Sequence, residues 1–176
     1  MHHQTLLAAA CTLALAACAT GSDATGAGGA GSADFKPTGA VTGFVSNASF
    51  DATHVQGPKV NASLRGDGTW GGTIGEPSIP LFHTYQSGTL AGTADFTLTI
   101  TKTGDTLIVT GQHTGRILRF EVSPSSLRVR TPSRSLDFNG DGNGVYSGPK
   151  TVTFTGEAVA LPPTVPFALA LCASFI

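Results

Sequence analysis

From Gly39 onward, the chain places apolar or β-branched side chains at every second position, in short runs that end at turn residues. The clearest run has Phe96, Leu98 and Ile100 on one face and threonines at the positions between them. A period of two is typical of half-buried strands, and no sustained spacing of three and four residues indicates an amphipathic helix. We therefore predict one all-β domain over residues 39–176, an antiparallel β-sandwich or small barrel of about eight to ten strands.

The C-terminal segment alternates in bulk, with mostly large residues at odd positions from Phe167 to Phe175 and small ones between them. Alanine and leucine favour helices, but bulk at every second position favours a strand, and Pro166 belongs to a proline-rich loop before it. We predict a terminal strand that carries Cys172 as a buried free thiol, because the small residues on its side let another surface approach closely.

Residues 5–17 form an apolar run of the length found in secretory signal peptides, and the run is too short to span a bilayer as a helix. It ends in Leu15-Ala16-Ala17-Cys18, which resembles the lipobox of bacterial lipoproteins. The resemblance implies that residues 1–17 are removed as a signal peptide, and that Cys18 is acylated and becomes the first residue of the mature protein. Two features leave an alternative open. Residues 1–4 contain no Lys or Arg, and Ala-Leu-Ala at positions 14–16 fits a signal-peptidase site that would release a soluble protein.

Residues 18–38 would then be the lipidated cysteine and a tether of mainly Gly, Ala, Ser and Thr, which cannot bury enough apolar surface to fold. Two or more acyl chains give stable membrane attachment, so the membrane is an expected partner. By resemblance to the sorting rule of Gram-negative lipoproteins, Ala19 favours the outer over the inner membrane. The expected location is the bacterial cell envelope.

The composition narrows the possible functions. The formal net charge is -1 and only 12% of residues are charged, against about 25% in typical soluble domains. Without a basic excess, nucleic acid is not an expected partner. No catalytic residue is assigned, because the sequence lacks a nucleophile elbow, a paired-carboxylate motif, a phosphate-binding glycine loop and a Cys-x-x-Cys motif.

The predicted function is a membrane-anchored, non-catalytic β domain used for binding or structural interaction. One alternative is a barrel that carries a lipid or small apolar ligand inside it. The other is an envelope hydrolase whose catalytic residues converge only in the fold.

An arginine-rich segment is the strongest candidate site. Five arginines and a single acidic residue fall within nineteen positions: Arg116, Arg119, Glu121, Arg128, Arg130 and Arg134. Ser-Pro-Ser-Ser at residues 123–126 suits a turn between two alternating runs, which would place Arg119 opposite Arg130 and Glu121 opposite Arg128. Two arginines in direct opposition repel unless an anion or Glu121 screens them.

Guanidinium groups bind carboxylate and phosphate in a bidentate manner. We therefore predict that Arg119, Arg128 and Arg130 bind an anionic envelope polymer or another envelope protein. The alternative is a solvated face on which Glu121 is shared between arginines.

Two weaker patterns concern metals. Asp137, Asn139 and Asp141 match positions 1, 3 and 5 of a calcium loop, but position 12 is Gly148, so a calcium site and a plain hairpin tip both remain open. His54, His83 and His113 lack the spacing that joins zinc ligands on one element, and we expect them on the surface or in loops. Asp51 with His54 is the pair nearest to a metal site.

Overall fold

The computed structural model describes residues 35–76, 78–92 and 95–176, so the lipobox and Cys18 lie outside the described residues. The strands of the first half, β1 to β7, are Gly39–Thr42, Asn47–Phe50, His54–Gly57, Val60–Leu64, Thr69–Ile74, Ile79–Gln86 and Thr89–Gly92. The strands of the second half, β8 to β14, are Phe96–Thr103, Thr106–His113, Arg116–Ser123, Ser126–Thr131, Arg134–Gly140, Val145–Ser147 and Val152–Gly156. A 3-10 helix, Glu157–Ala160, and an α-helix, α1 at Val165–Ala173, follow.

The strands form one closed antiparallel barrel, in which every strand pairs with its neighbours in sequence. The barrel closes where β1 pairs with β14, with Val41 opposite Phe154. The prediction of an all-β fold is confirmed, and the architecture is the barrel alternative. The described residues form fourteen strands instead of eight to ten, because several strands in the first half are too short to show a period. For example, β3 has only one buried residue, Val55.

In β8 and β14, the buried residues are apolar and the residues between them are threonines. In β8, Phe96, Leu98 and Ile100 are buried, as the alternation predicts. In β14 the buried residues are Val152 and Phe154. Strand alternation therefore separates a hydrophobic interior from a polar outer surface.

The predicted terminal strand is wrong, because residues Val165–Ala173 form the helix α1. All nine residues of α1 are buried, and the helix contacts β1 to β4 and also β8. It therefore lies inside the barrel. A strand there would have no neighbour for its backbone hydrogen bonds, whereas a helix satisfies its own backbone, and alanine, leucine and Pro166 in the first turn all suit one. Among the described residues, no helix has the length and apolar character needed to cross a membrane.

Aromatic contacts join the C-terminal segment to the barrel wall on different sides. The Phe167 ring lies 6.0 Å from that of Phe50 and 5.5 Å from that of Phe154, both edge-on. Further along, Phe175 lies 5.4 Å from Phe120 and 6.3 Å from Phe138. The segment therefore packs against residues of four different strands, β2, β14, β10 and β12.

Cys172 is a buried free thiol, as predicted, although it lies on α1 and not on a strand. Burial raises the pKa of this thiol, so its reactive thiolate is disfavoured. Just beyond it, the Ser174 hydroxyl donates hydrogen bonds to the carbonyl oxygens of Ala170 and Val41. The backbone N–H of Val45 donates to the Ser174 carbonyl at 3.0 Å, which ties the end of the helix to the turn between β1 and β2.

The packing of α1 predicts that Phe167→Ala destabilises the protein strongly. We expect a loss of about 3–5 kcal/mol in the free energy of unfolding, because the substitution leaves a cavity between the helix and two strands. The matched control is Phe82→Ala, since Phe82 is 52% exposed on the outer surface and its loss should cost no more than about 1 kcal/mol. Urea unfolding measures both values, and equal losses in the two variants would contradict the placement of α1.

Candidate functional site

The arginine-rich segment folds as the predicted hairpin, formed by β10 and β11. Arg119 lies opposite Arg130, and Glu121 lies opposite Arg128, in the predicted register. The alternate residues Phe120 and Val122 of β10, and Val129 and Leu127 opposite them, are buried, so the charged side chains point outward. The alternation of bulk and charge positions the arginines on the outer face of the barrel.

Each of the three outward arginines lies near a carboxylate. Arg119 donates from Nε and Nη2 to Glu121 Oε1, at 3.0 Å and 2.9 Å. Arg130 Nη2 donates to Asp137 Oδ1 at 2.9 Å, and Arg128 Nε lies 3.7 Å from the same oxygen. The opposed arginines are therefore directed to different carboxylates, which relieves their repulsion. Such exposed pairs contribute roughly 0–1 kcal/mol each to stability.

The opposed arginines belong to a longer row of side chains across six neighbouring strands, from β7 to β12. Strand pairing aligns the members of this arginine–threonine row in the order Thr89, Thr99, Thr110, Arg119, Arg130 and Ser135. The first two hydroxyl oxygens are 3.5 Å apart. With adjacent strands about 4.8 Å apart, the row is roughly 24 Å long. Sequence reasoning identified its arginines but missed its hydroxyl members, whose alignment depends on the register of four other strand pairs.

A pocket lies at the barrel end where α1 finishes, and we call it the mouth pocket. Its volume is about 550 Å³. The turn between β9 and β10 and the turn between β11 and β12 form its walls, and Leu118, Phe175 and Ile176 supply apolar lining. No sequence pattern predicts this pocket, because its parts are distant in the chain.

His113 lies in the lining of the mouth pocket and is 5% exposed. Its Nδ1 is 3.3 Å from the Thr114 hydroxyl oxygen, and its Nε2 has no hydrogen-bond partner among the described residues. Burial lowers the pKa of His113, and the positive charge of Arg116 lowers it further. The adjacent backbone of Ile74 raises the pKa, but by less than burial lowers it. The imidazole is therefore neutral at pH 7.

The expectation that the histidines lie on the surface or in loops is wrong for His83 and His113, which are buried inside the barrel wall. His83 Nε2 is 2.7 Å from the Phe96 carbonyl oxygen, and the N–H of Phe82 donates to its Nδ1 at 2.9 Å. The inward parity of both histidines within alternating runs was the signal that could have identified them as core residues.

Of the three predicted calcium ligands, Asp137 and Asp141 are engaged within the protein. Asp137 and Asn139 lie on the exposed side of β12, while Asp141 is in the following turn. Asp141 Oδ1 accepts the backbone N–H groups of Asn143 and Val145 at 2.7 Å and 3.0 Å, and these bonds lower the pKa of the carboxyl group. The calcium prediction stays untested.

The pair formed by Asp51 and His54 is a local turn. Asp51 Oδ1 lies 3.2 Å from His54 Nδ1 and accepts the backbone N–H groups of Thr53 and His54, both at 2.7 Å. Within residues 35–76, 78–92 and 95–176, no group of three or more acidic, histidine or cysteine side chains is arranged to hold a metal ion.

The described fold is a closed antiparallel barrel with a helix in its lumen, an arginine–threonine row on its outer face and a pocket at one end. The chain matches no protein-family model, no curated protein and no solved structure.

Proposed function

We propose that the protein is a lipid-anchored lipoprotein of the bacterial cell envelope and that its barrel is a non-catalytic binding module. The proposal of an anchor is supported by Leu15-Ala16-Ala17-Cys18 at the end of an apolar run. Acylation at Cys18 would attach the mature chain to a membrane, with the outer membrane favoured by Ala19. The residues up to 38 would hold the barrel clear of the lipid surface.

The filled lumen favours binding on the outside of the barrel. Helix α1 occupies the interior, and all nine of its residues are buried. A carrier of lipids or small apolar ligands needs that volume for its cargo, because a ligand cavity typically measures about 300–1,000 Å³. A carrier that holds its cargo in the lumen would therefore require α1 to leave the barrel.

The hydrolase alternative requires a histidine that is oriented by a carboxylate and close to a nucleophile. In the part of the chain that the structure describes, both ring nitrogens of His83 bond to backbone groups. His113 has a threonine hydroxyl beside Nδ1. These contacts favour a structural role for both residues.

The arginine–threonine row is the observation that carries the binding proposal. Its hydroxyl and guanidinium groups donate hydrogen bonds along about 24 Å of the outer face, a length that suits an extended polymer. From Arg116 to Asp137 the chain has five arginines and two carboxylates, so this side of the barrel attracts anions. We infer that the ligand is an envelope polymer that bears carboxylate or phosphate groups. The anionic groups of the polymer would compete with the carboxylates of Glu121 and Asp137 for Arg119 and Arg130.

The anchor proposal predicts that Cys18 is acylated in cells. Mass spectrometry of the N-terminal peptide should show an acylated Cys18 as the first residue, and fractionation should recover the protein with membranes. Cys18→Ser should accumulate as an uncleaved or mislocalised precursor. An unmodified Cys18, or a mature protein that starts at Ala17, would exclude the anchor.

The binding proposal predicts that removing positive charges from the hairpin weakens polymer binding, whereas removing a negative charge from it strengthens polymer binding. On immobilised polygalacturonate, the double variant Arg119→Thr with Arg130→Thr should bind roughly tenfold more weakly, because two exposed ion pairs contribute up to about 1 kcal/mol each. Glu121→Gln should bind several-fold more tightly, since it removes a competing carboxylate from Arg119. Added salt should weaken the retention of the wild-type protein.

Arg65→Thr serves as the control, because Arg65 lies outside the hairpin, above the ring of Phe82. Its retention should equal that of the wild type, and neutral dextran should retain none of the variants. If the arginine pair and Glu121 have only structural roles, their substitutions will change the urea midpoint but not retention. Salt-insensitive retention that is equal in all variants would refute the proposal.

A further inference from the structure

The mouth pocket combines one cationic side chain with an apolar surface. Arg116 and Leu118 lie at alternate positions of β10, on its inward side, and both line the pocket. Phe175 and Ile176 add apolar surface beyond the end of α1. Thr114 and Ser133 lie in the two turns that form its walls, and Thr131 ends β11 beside them. A cavity of about 550 Å³ falls within the usual size of small-molecule sites.

Arg116 differs from the arginines of the outer row in its surroundings. Arg119, Arg128 and Arg130 each lie within 4.0 Å of a carboxylate oxygen. Arg116 forms no ion pair with any of the described residues, and it is exposed at the rim of the pocket. A guanidinium without an internal partner can offer its paired N–H groups to a carboxylate in a ligand.

Two other ionisable side chains line the pocket, Glu76 and His113. Glu76 accepts a hydrogen bond from Lys59 Nζ, so its negative charge is balanced by a lysine. The partial desolvation of His113 keeps its imidazole neutral, which agrees with the lowered pKa described above. Arg116 is therefore the cationic side chain of the pocket lining that is not paired with a carboxylate side chain of the described residues.

We propose that the mouth pocket binds a small organic carboxylate with an apolar body. Arg116 receives the carboxylate through two parallel N–H groups, and the Ser133 hydroxyl donates a further hydrogen bond, whereas the Thr114 and Thr131 hydroxyls already donate to the carbonyl oxygens of His113 and Arg134. Leu118, Phe175 and Ile176 cover the apolar part and remove it from water. This proposal is independent of the polymer proposal, because Arg116 has inward parity on β10 whereas Arg119 faces outward.

Titration calorimetry of the mature protein in lipid nanodiscs tests the proposal. The probes are hexanoate and 4-phenylbutyrate, and empty nanodiscs correct for partition of the probes into lipid. The uncharged controls are 1-hexanol and 4-phenylbutan-1-ol, which have similar apolar bodies and no carboxylate. We expect one carboxylate per chain to bind, and each matched alcohol to bind at least about tenfold more weakly.

Arg116→Gln is the diagnostic variant, and we expect it to weaken binding of the carboxylates by roughly tenfold to a hundredfold. Arg134→Gln is the matched control, because Arg134 begins β12 directly after a pocket wall and does not line the pocket. It should change the affinity by less than about twofold. The far-ultraviolet circular dichroism and melting temperature of both variants show whether they keep the wild-type fold.

Three results would each overturn the proposal. The first is the absence of binding by either carboxylate up to about 10 mM, a concentration high enough to detect a dissociation constant of about that size. The second is equal affinity of the carboxylates for wild-type protein and a folded Arg116→Gln variant. The third is equal affinity for a carboxylate and its alcohol, which would define an apolar pocket without carboxylate recognition. None of these results bears on the retention of the protein by an acidic polymer.

Discussion

Backbone groups inside an apolar lumen have no water to bond, so every N–H and C=O that enters the barrel needs a partner within the protein. The wall of this barrel has no free edge inside it, because each strand already pairs on both sides. A helix is the one regular element that supplies its own hydrogen bonds. Residues Val165–Ala173 meet this requirement, and they also fill the space with apolar side chains on every side of the helix. The closure of the barrel and the form of its C-terminal segment are therefore mutually dependent.

This dependence determines where a ligand can bind. With the lumen occupied, the accessible surfaces are the outer wall and the ends of the barrel. Strand alternation assigns neighbouring arginines of β10 to different surfaces, so Arg119 joins the arginine–threonine row and Arg116 lines the mouth pocket. The two proposed sites consequently differ in shape and in ligand: an extended row for a polymer and a pocket for a small carboxylate.

Local patterns in the sequence were enough to predict the hairpin of β10 and β11. Its turn residues and the apolar pairs Phe120 with Val129 and Val122 with Leu127 determine one register, and the structure has that register. The pairing of β1 with β14 could not be predicted in this way, because it joins residues more than a hundred positions apart. The mouth pocket was missed for the same reason, since it requires turns from several parts of the barrel.

The error at the C-terminus has a different physical cause. A helix that faces solvent on one side shows a period of 3.6 residues, but α1 is buried on all sides and has no polar face. Without that signal, the accidental alternation of bulk from Phe167 to Phe175 favoured a strand. Inside the closed barrel the segment forms a helix and not a strand, because a strand there would have no hydrogen-bonding neighbour. The high helix propensity of alanine and leucine also favours the helix.

Thiol labelling of Cys172 tests most directly whether α1 lies within a closed barrel. Cys172 is fully buried on the helix, so a thiol reagent should reach it only when the barrel opens. Labelling is measured by mass spectrometry of the peptide that contains Cys172, across a urea series alongside circular dichroism. The account predicts no rapid labelling of the native protein and a labelling transition that coincides with global unfolding. Rapid labelling at urea concentrations where the strands remain intact would contradict it.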